Sequence, residues 1–240
     1  MNIVVPMAGR GARFATSGVD TPKPLIPVAG RPVVAWALES LGELLPDARI
    51  VFVVLKEHET NYAISGLLRS AAGPSAQVVV IDEVTEGQLC TVLAAADYIN
   101  GDEDLLVASC DTYVVSTLAQ DIRDRQADCH GIISVADMPG NRWSFARTDE
   151  TGRVVEVAEK ERISDHASTG LYYFSHAQEF ITVAEEIIRN REKTRGEYYV
   201  IPVYQKYIQR GWRVDVSVAE QMWDMGTPEA LSAFINRAHS

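Results

Sequence analysis

Between residues 2 and 127, short runs rich in Val and Ile alternate with segments of helical periodicity. This alternation constrains the fold more than any other feature of the chain. The apolar runs fall at 2–6, 50–55 (IVFVVL), 77–81 (QVVVI) and 104–109 (DLLVAS), with helical patterns at 32–45 (begun by Pro32), 57–72, 88–98 and 116–127. Strands linked by crossover helices give a parallel sheet, and strands that are apolar almost throughout must be covered on both faces. From Gly131 the rhythm changes. Residues 131–137 and 143–158 read as antiparallel strands with turns at Pro139-Gly140-Asn141 and Asp149–Gly152. A strand at 170–174, helices at 175–193 and 197–210, a short strand at 212–216 and a helix from Pro228 complete the pattern. The expected architecture is α/β, with a mixed, mostly parallel central sheet. It is expected as one domain over 1–240, with a first half at 1–130 and a second at 131–240.

A chain of 240 residues can bury a substantial core without disulfides or metal staples. No apolar run reaches about 18 residues, so no membrane span is expected. The start, MNIVVPMAGRG, has neither a basic n-region nor a small-residue cleavage site and reads as a strand, not a signal peptide. Cys90, Cys110 and Cys129 lack CxxC spacing, which points to reduced thiols in a cytoplasmic protein and not to a disulfide frame or zinc site. A net charge of −11 argues against nucleic acid as a partner, which would need a broad basic surface. Small polyanions are a different matter. Residues 1–31 hold Arg10, Arg13, Lys23 and Arg31 against one acid, Asp20.

Within that segment Gly9-Arg10-Gly11-Ala12-Arg13-Phe14 directly follows the first strand. Glycines let the backbone approach a phosphate and aim N–H groups at it, and Arg13 adds a planar, permanent charge. The dinucleotide fingerprint would need a third glycine where Phe14 stands, and a Walker loop would need Gly-Lys-Ser/Thr, which is absent. A few residues on, Thr21-Pro22-Lys23-Pro24-Leu25-Ile26-Pro27-Val28 forms a strap stiffened by three prolines that presents Lys23 as a second cation.

The pattern GxGxRF followed by PKPLIPV resembles the sugar-phosphate nucleotidylyltransferases, or nucleotide-sugar pyrophosphorylases, and the resemblance runs in order through essentially the whole chain. It implies a Rossmann-like, three-layer nucleotidyltransferase (GT-A-like) fold, with Ala8, Gly9, Gly11, Arg13 and Lys23 on the triphosphate of an NTP. Arg13 and Lys23 are the expected catalytic pair. Two departures stand out. Pro6-Met7-Ala8-Gly9 replaces the usual Leu-Ala-Gly-Gly, and Ala12 replaces a common Thr or Ser.

Thr85-Glu86-Gly87-Gln88-Leu89 precedes a helix and is similar to the family's base-recognition turn, which assigns Gly87 and Gln88 to the nucleobase; the plainer reading is a capped helix start. Asp111 follows the apolar LLVASC, at the carboxyl end of a parallel strand where α/β sheets place ligands. A desolvated carboxylate there calls for a partner, and a hard cation such as Mg²⁺ suits it. Capping the helix near Ser116 is the competing role, and Asp111 stands too early for it. Trp223-Asp224-Met225-Gly226-Thr227-Pro228 looks like the family's W-D-x-G-T-P element, whose Asp joins the strand-end Asp around the metal, so Asp111 and Asp224 are the expected Mg²⁺ ligands. Asp102-Glu103-Asp104 offers a DxD-like alternative, but it precedes its strand and reads as a solvated turn.

In the second half, Glu159-Lys160 and Gly170-Leu171-Tyr172-Tyr173-Phe174 are similar to elements that bind the acceptor and its phosphate. The resemblance assigns Glu159 to an acceptor hydroxyl, Lys160 to its phosphate, Gly170 to a close backbone contact and Glu197 to the sugar. Glu161 replaces the usual proline after the lysine, and an acid at a helix N-terminus explains Glu197 nearly as well. His58, His130, His166, His176 and His239 are scattered, with no pair at metal-ligand spacing.

A phosphate monoester is already largely dianionic at neutral pH, its second pKa being about 6, so attack on an NTP needs cations and positioning more than a general base. The expected reaction joins an NTP to a phosphorylated small molecule, foremost a sugar 1-phosphate, with Mg²⁺ as cofactor. A CTP-dependent phosphoalcohol or phosphocholine-type cytidylyltransferase is the nearest alternative, for which Trp143, Tyr172 and Tyr173 would have to form a cage. A non-catalytic nucleotide-binding regulator and a glycosyltransferase are more distant ones. A homodimer is compatible with the sequence, and no membrane or nucleic-acid partner is expected.

Overall fold

The computed structural model describes residues 1–238, so His239 lies outside it. Strand β1 (Asn2–Pro6) leads into a glycine loop and the short α1 (Ala12–Ala15); the proline strap then runs to β2 (Pro27–Val28) and β3 (Arg31–Pro32). The alternation continues with α2 (Val33–Glu39), β4 (Arg49–Leu55), α3 (Lys56–Tyr62), α4 (Ile64–Ala72), β5 (Gln77–Ile81), α5 (Gln88–Leu93), α6 (Ala96–Ile99) and β6 (Leu105–Ala108). Next come β7 (Thr112–Val115), α7 (Leu118–Asp124), β8 (Cys129–Ala136), β9 (Ser144–Thr148), β10 (Val154–Glu159) and β11 (Ala167–Phe174). The chain ends with α8 (Ala177–Arg189), α9 (Pro202–Gln209), β12 (Arg213–Val218), β13 (Gln221–Asp224) and α10 (Pro228–Ala238).

The central sheet has strand order β10-β9-β11-β6-β1-β4-β5, with β8 paired to β11 and β12 to β8. Strands β6, β1, β4 and β5 are mutually parallel. Strand β11 runs against β6, β8 and β9, while β12 lies parallel to β8. The two-residue side-chain period of a strand sends alternate residues to opposite faces, and the core divides accordingly. Val4, Val51 and Val53 join Leu89, Val92, Phe180 and Tyr204 on one face, whereas Ile3, Val5, Phe52 and Val54 join Leu38, Leu68 and Ile122 on the other. The result is three layers around a mixed sheet.

Several boundaries differ from the sequence reading for identifiable reasons. The helix expected over 57–72 is two helices, because Ala63 adopts a left-handed conformation (φ 48°) between them. The helix expected from residue 197 starts at Pro202, a residue suited to the first helical turn; residues 197–199 instead form a non-helical strap. Strands β7 and β13 pair only with each other, Asp224 opposite Thr112 and Trp223 opposite Tyr113. Neither was anticipated. A third, small core of Phe14, Ile26, Val28, Val33, Met225, Leu231 and Phe234 ties the glycine loop, the proline strap and α10 together.

Candidate active site

At the carboxyl ends of β1, β5 and β6 lies a cleft of about 410 Å³, lined by Ala8, Gly9, Gly11, Lys23, Gly87, Gln88 and Glu197 among others. A second cleft of about 480 Å³ is lined by Arg13, Asp111, Arg142, Glu159, Lys160, Gly170, Arg195 and Asp224, and Gln88 borders both.

The glycine loop owes its shape to Gly11. Its φ of 60° is one that L side chains rarely adopt, and its carbonyl accepts the backbone N–H bonds of Phe14 and Ala15. Phe14 is buried in the third core, which leaves the neighbouring Arg13 side chain exposed and without a side-chain partner among the described residues. Lys23 is drawn inward, with Nζ 2.6 Å from Asp111 Oδ2. Burial alone would lower the pKa of this ammonium, but the charge of Asp111 and the hydrogen bond to it prevail and hold it above the usual lysine range. The rest of the basic segment goes elsewhere. Arg31 pairs with Glu39 and stacks over Trp36, and Arg10 lies outside both clefts.

Asp111 follows β6, and the β7–β13 ladder returns Asp224 to it, reinforced by the Met225 N–H donating to the Asp111 carbonyl at 2.8 Å. Both carboxylates close around Gly226. A Cβ placed there would lie 2.9 Å from Asp111 Oδ2 and 2.9 Å from Asp224 Oδ1, so any side chain would push the two carboxylates from these positions. Gly226 N–H donates to Asp224 Oδ1 at 2.8 Å. Arg142 Nη2 sits 2.7 Å from Asp224 Oδ2, but without hydrogen-bond alignment, so that buried oxygen has no hydrogen-bond donor. Paired carboxylates with an under-satisfied oxygen are the donor set a hard divalent cation takes. Asp111 does not cap the following helix, which Thr117 precedes.

The turn at 85–88 is clamped against the strap at 197–199. Tyr198 N–H donates to Glu86 O and Leu89 N–H to Tyr198 O, both at 3.0 Å. Gly87 has φ 143°, and a Cβ there would collide with the Tyr198 backbone. No side chain caps α5; the Thr85 hydroxyl bonds the Gly87 carbonyl and the Thr91 hydroxyl instead.

In the second cleft the functional groups project from strands. Glu159, the last residue of β10, accepts a 2.5 Å hydrogen bond from Ser144 Oγ, which in turn accepts one from the Tyr172 hydroxyl. Burial pushes the Glu159 carboxyl above its ordinary value, partly offset by Ser144 and Lys160. Lys160 has a left-handed backbone (φ 55°); its ammonium bonds the Tyr199 hydroxyl and lies over that ring. Gly170 (φ 87°) lies so close to Ser109 that a side chain would collide with it.

Sequence reasoning missed Arg142 and Arg195. Arg195, in the tight turn after α8, donates to the Lys160 carbonyl at 2.9 Å. The basic Lys193-Thr194-Arg195-Gly196 stretch was a signal of the same kind as the basic segment at the start of the chain. Glu197, expected on the acceptor sugar, lines the first cleft and not the second, where the other residues expected on the acceptor stand. Among the described residues, Trp143, Tyr172 and Tyr173 assemble no aromatic cage: Tyr173 is fully buried with its hydroxyl on Asp104, Tyr172 is buried, and Arg142 covers Trp143 at 4.2 Å. Asp104 lies at the opposite end of β6 from Asp111, bonded to Tyr173 and 3.6 Å from Arg125.

The family model for the MobA-like NTP transferase domain matches residues 3–170. Among curated proteins, the low-salt glycan biosynthesis nucleotidyltransferase Agl11 of Haloferax volcanii is 26% identical over 237 residues, covering 96% of this chain and 64% of that protein. The bifunctional protein GlmU of Thermotoga maritima is 28% identical over 207 residues, covering 83% of this chain and 43% of that one. The chain thus spans about two thirds or less of these two relatives. Among solved structures, the nucleoside-diphosphate-sugar pyrophosphorylase of Vibrio cholerae superposes with a TM-score of 0.84 at 24% identity, covering 98% of this chain and 99% of that one. At that identity the likeness shows the fold.

Proposed function

The chain belongs to the MobA-like NTP transferase domain family, and from that premise we propose that it transfers a nucleotidyl group from an NTP to a phosphorylated small molecule, foremost a sugar 1-phosphate, and releases pyrophosphate. One observation carries this reading. Two carboxylates meet at Gly226 beside Lys23, at the border between the two clefts. A reaction that joins a polyanion to a second anion needs its charge-neutralising groups at that junction.

In this reading the first cleft takes the NTP. Gly87 and Gln88 face the base, Glu197 faces the ribose, and the N–H groups around Gly9 and Gly11 point at the phosphates. Asp111 and Asp224 would hold Mg²⁺, which would supply charge neutralisation and polarisation for the phosphate under attack. For that, Lys23 and Arg142 must move off the two carboxylates, and both have anionic substrates to go to. Lys160, Arg195 and Arg142 orient the acceptor phosphate in the second cleft, and Glu159 accepts a hydrogen bond from an acceptor hydroxyl. An acceptor oxygen, already anionic, attacks the α-phosphorus as the bond to the bridging α–β oxygen breaks. Lys23 from the first cleft, and Arg13 from the second where it borders Gly11, Lys23 and Gly226, take up the charge of the departing pyrophosphate, and no proton has to be moved.

The cations over Trp143 and Tyr199 weigh against a quaternary-ammonium acceptor, since the ring faces such a group would need are occupied. A pyrophosphate-release assay with each NTP against sugar 1-phosphates, phosphocholine and polyol phosphates, with Mg²⁺, tests the proposal. Release with at least one sugar 1-phosphate is expected. NDP release from a nucleotide-sugar donor, without pyrophosphate release from any NTP, would replace this reading with glycosyl transfer.

A further inference from the structure

The end of the sheet opposite the candidate active site carries a cluster that this reaction does not use. The β11–β8 register sets Phe174 against Gly131, and the next pair outward brings Ser175 to His130, with the Ser175 N–H donating to the His130 carbonyl at 3.0 Å. His176 and Glu179 follow at once, at the start of the 13-residue α8. Residues far apart in sequence thus converge. His130 Nδ1 is hydrogen-bonded to Glu179 Oε2 at 3.0 Å, His176 Nδ1, which also bonds Ser175 Oγ at 2.9 Å, is 3.6 Å from the same oxygen, and the ligand atoms of all three residues lie within 4.8 Å of one another.

We infer that His130, His176 and Glu179 form a binding site for Zn²⁺. Zinc binds imidazole nitrogen at about 2.0–2.1 Å and carboxylate oxygen at about 2.0–2.2 Å, so neighbouring ligand atoms of a tetrahedral site stand roughly 3.3–3.5 Å apart. The two histidine-to-glutamate separations fall on either side of that spacing. Two imidazoles and one carboxylate suit zinc better than Mg²⁺, which prefers an all-oxygen shell. All three side chains are partly exposed, between 26% and 46%, which leaves a fourth position for water.

Two further observations support a built site. The His130 ring is stacked on Trp212 (centroids 4.6 Å, interplanar 12°), which fixes its orientation without using a ring nitrogen. Beside it, edge-on to both rings, lies the buried Tyr207, whose hydroxyl has no hydrogen-bond partner among the described residues. Glu179 is the carboxylate whose charge is felt there, with Arg210 opposing it, after the larger effect of burial. At roughly 3.3 Å per residue along β11, the cluster lies roughly 16 Å from Gly170. Its metal would pin the start of α8 to β8 and leave the chemistry to the other end of the sheet.

The test titrates Zn²⁺ into the metal-stripped protein against a chromophoric zinc indicator, in saturating Mg²⁺ so that the Asp111–Asp224 pair is occupied. One equivalent is expected to bind the wild type. His176→Ala and Glu179→Gln, at solvent-facing positions, should each weaken binding at least tenfold while melting like the wild type without metal. Zn²⁺ should raise the melting temperature of the wild type but not of either variant, because binding to the native state alone stabilises it. Co²⁺ should give a visible absorption band of tetrahedral type that His176→Ala removes. Zinc binding that persists unchanged in both variants would place the metal elsewhere and overturn the assignment, as would no binding at micromolar concentration.

Discussion

The parallel side of the sheet and its antiparallel side supply the candidate site in different ways. Next to β1, β5 and β6 the groups sit on segments that follow strand ends: the glycine loop, the 85–88 turn and Asp111. They are held largely by main-chain hydrogen bonds and by two positive-φ glycines, Gly11 and Gly87. Around β9, β10 and β11 the groups belong to the strands or their last residues, and side chains orient one another: Ser144 on Glu159, Tyr172 on Ser144, Tyr199 on Lys160. The first arrangement is a fixed cradle suited to a ligand part common to every NTP. The second is a network in which one substitution changes a contact without reshaping the backbone, as a variable acceptor requires.

The largest effects are expected at the junction of the two clefts. Asp111→Asn and Asp224→Asn should each reduce turnover on the order of 10²–10³-fold, the range seen when one preorganised electrostatic group is removed, with melting temperature little changed. Near-wild-type turnover at limiting Mg²⁺ in either variant would remove that carboxylate from the metal site.

At the junction, where Lys23 lines the first cleft and Arg13 reaches in from the second beside Gly11 and Gly226, Lys23→Ala and Arg13→Ala should cost about 1.5–3 kcal/mol each, or roughly one to two decades. The loss should appear in NTP use and in the reverse reaction with pyrophosphate. Variants that altered only the acceptor KM would reverse the assignment of the two clefts.

The glycines sharpen the contrast through stability. Gly87→Ala meets the Tyr198 backbone, which cannot rotate away, whereas Gly170→Ala meets the Ser109 side chain. Each should cost about 1–3 kcal/mol from its backbone conformation, with Gly87→Ala the worse. Adding Ser109→Gly should recover part of the loss at Gly170 and none at Gly87, as read by denaturant unfolding. Equal costs with no recovery would show that strain alone, and not the contact, sets them.

The smallest effect concerns Glu159. Burial raises its folded pKa, so between the unfolded and folded values the folded state binds a proton there that the unfolded chain has released. The cost of ionising it is absent below the unfolded pKa and complete once pH passes the folded one. Glu159→Gln should therefore raise the melting temperature slightly at pH 8, and the gain should fade as pH drops through the carboxylate range. A gain independent of pH would point to packing instead.

The same contrast governs what could be read from the sequence. The glycine loop, the strap and the strand-end Asp111 are contiguous strings whose chemistry follows from residue type and neighbours, and the buried parallel strands announce themselves by composition. Strands β7 and β13 escaped because four-residue segments carry little periodicity, and their pairing joins residues more than a hundred positions apart. Without that ladder the sequence names Asp224 by resemblance but gives no physical reason for it to meet Asp111. Arg142 and Arg195 lie in turns, where a basic residue is ordinarily solvated, and the left-handed Lys160 shows no sequence signal because lysine rarely adopts it. The His130–His176–Glu179 cluster depends wholly on the β8–β11 register.

The central claim is that the NTP and its acceptor occupy separate clefts that meet at Asp111 and Asp224. Calorimetric titration of NTP into Lys160→Ala protein, paired with acceptor kinetics on the same variant, tests it most directly. Lys160 lines the second cleft and not the first. NTP affinity should therefore match the wild type, while acceptor KM rises by roughly one to two decades for the loss of one charge-assisted contact. Lys160→Gln, which keeps most of the aliphatic stem, should show the same split. A collapse of NTP affinity with acceptor KM unchanged would contradict the division of the site.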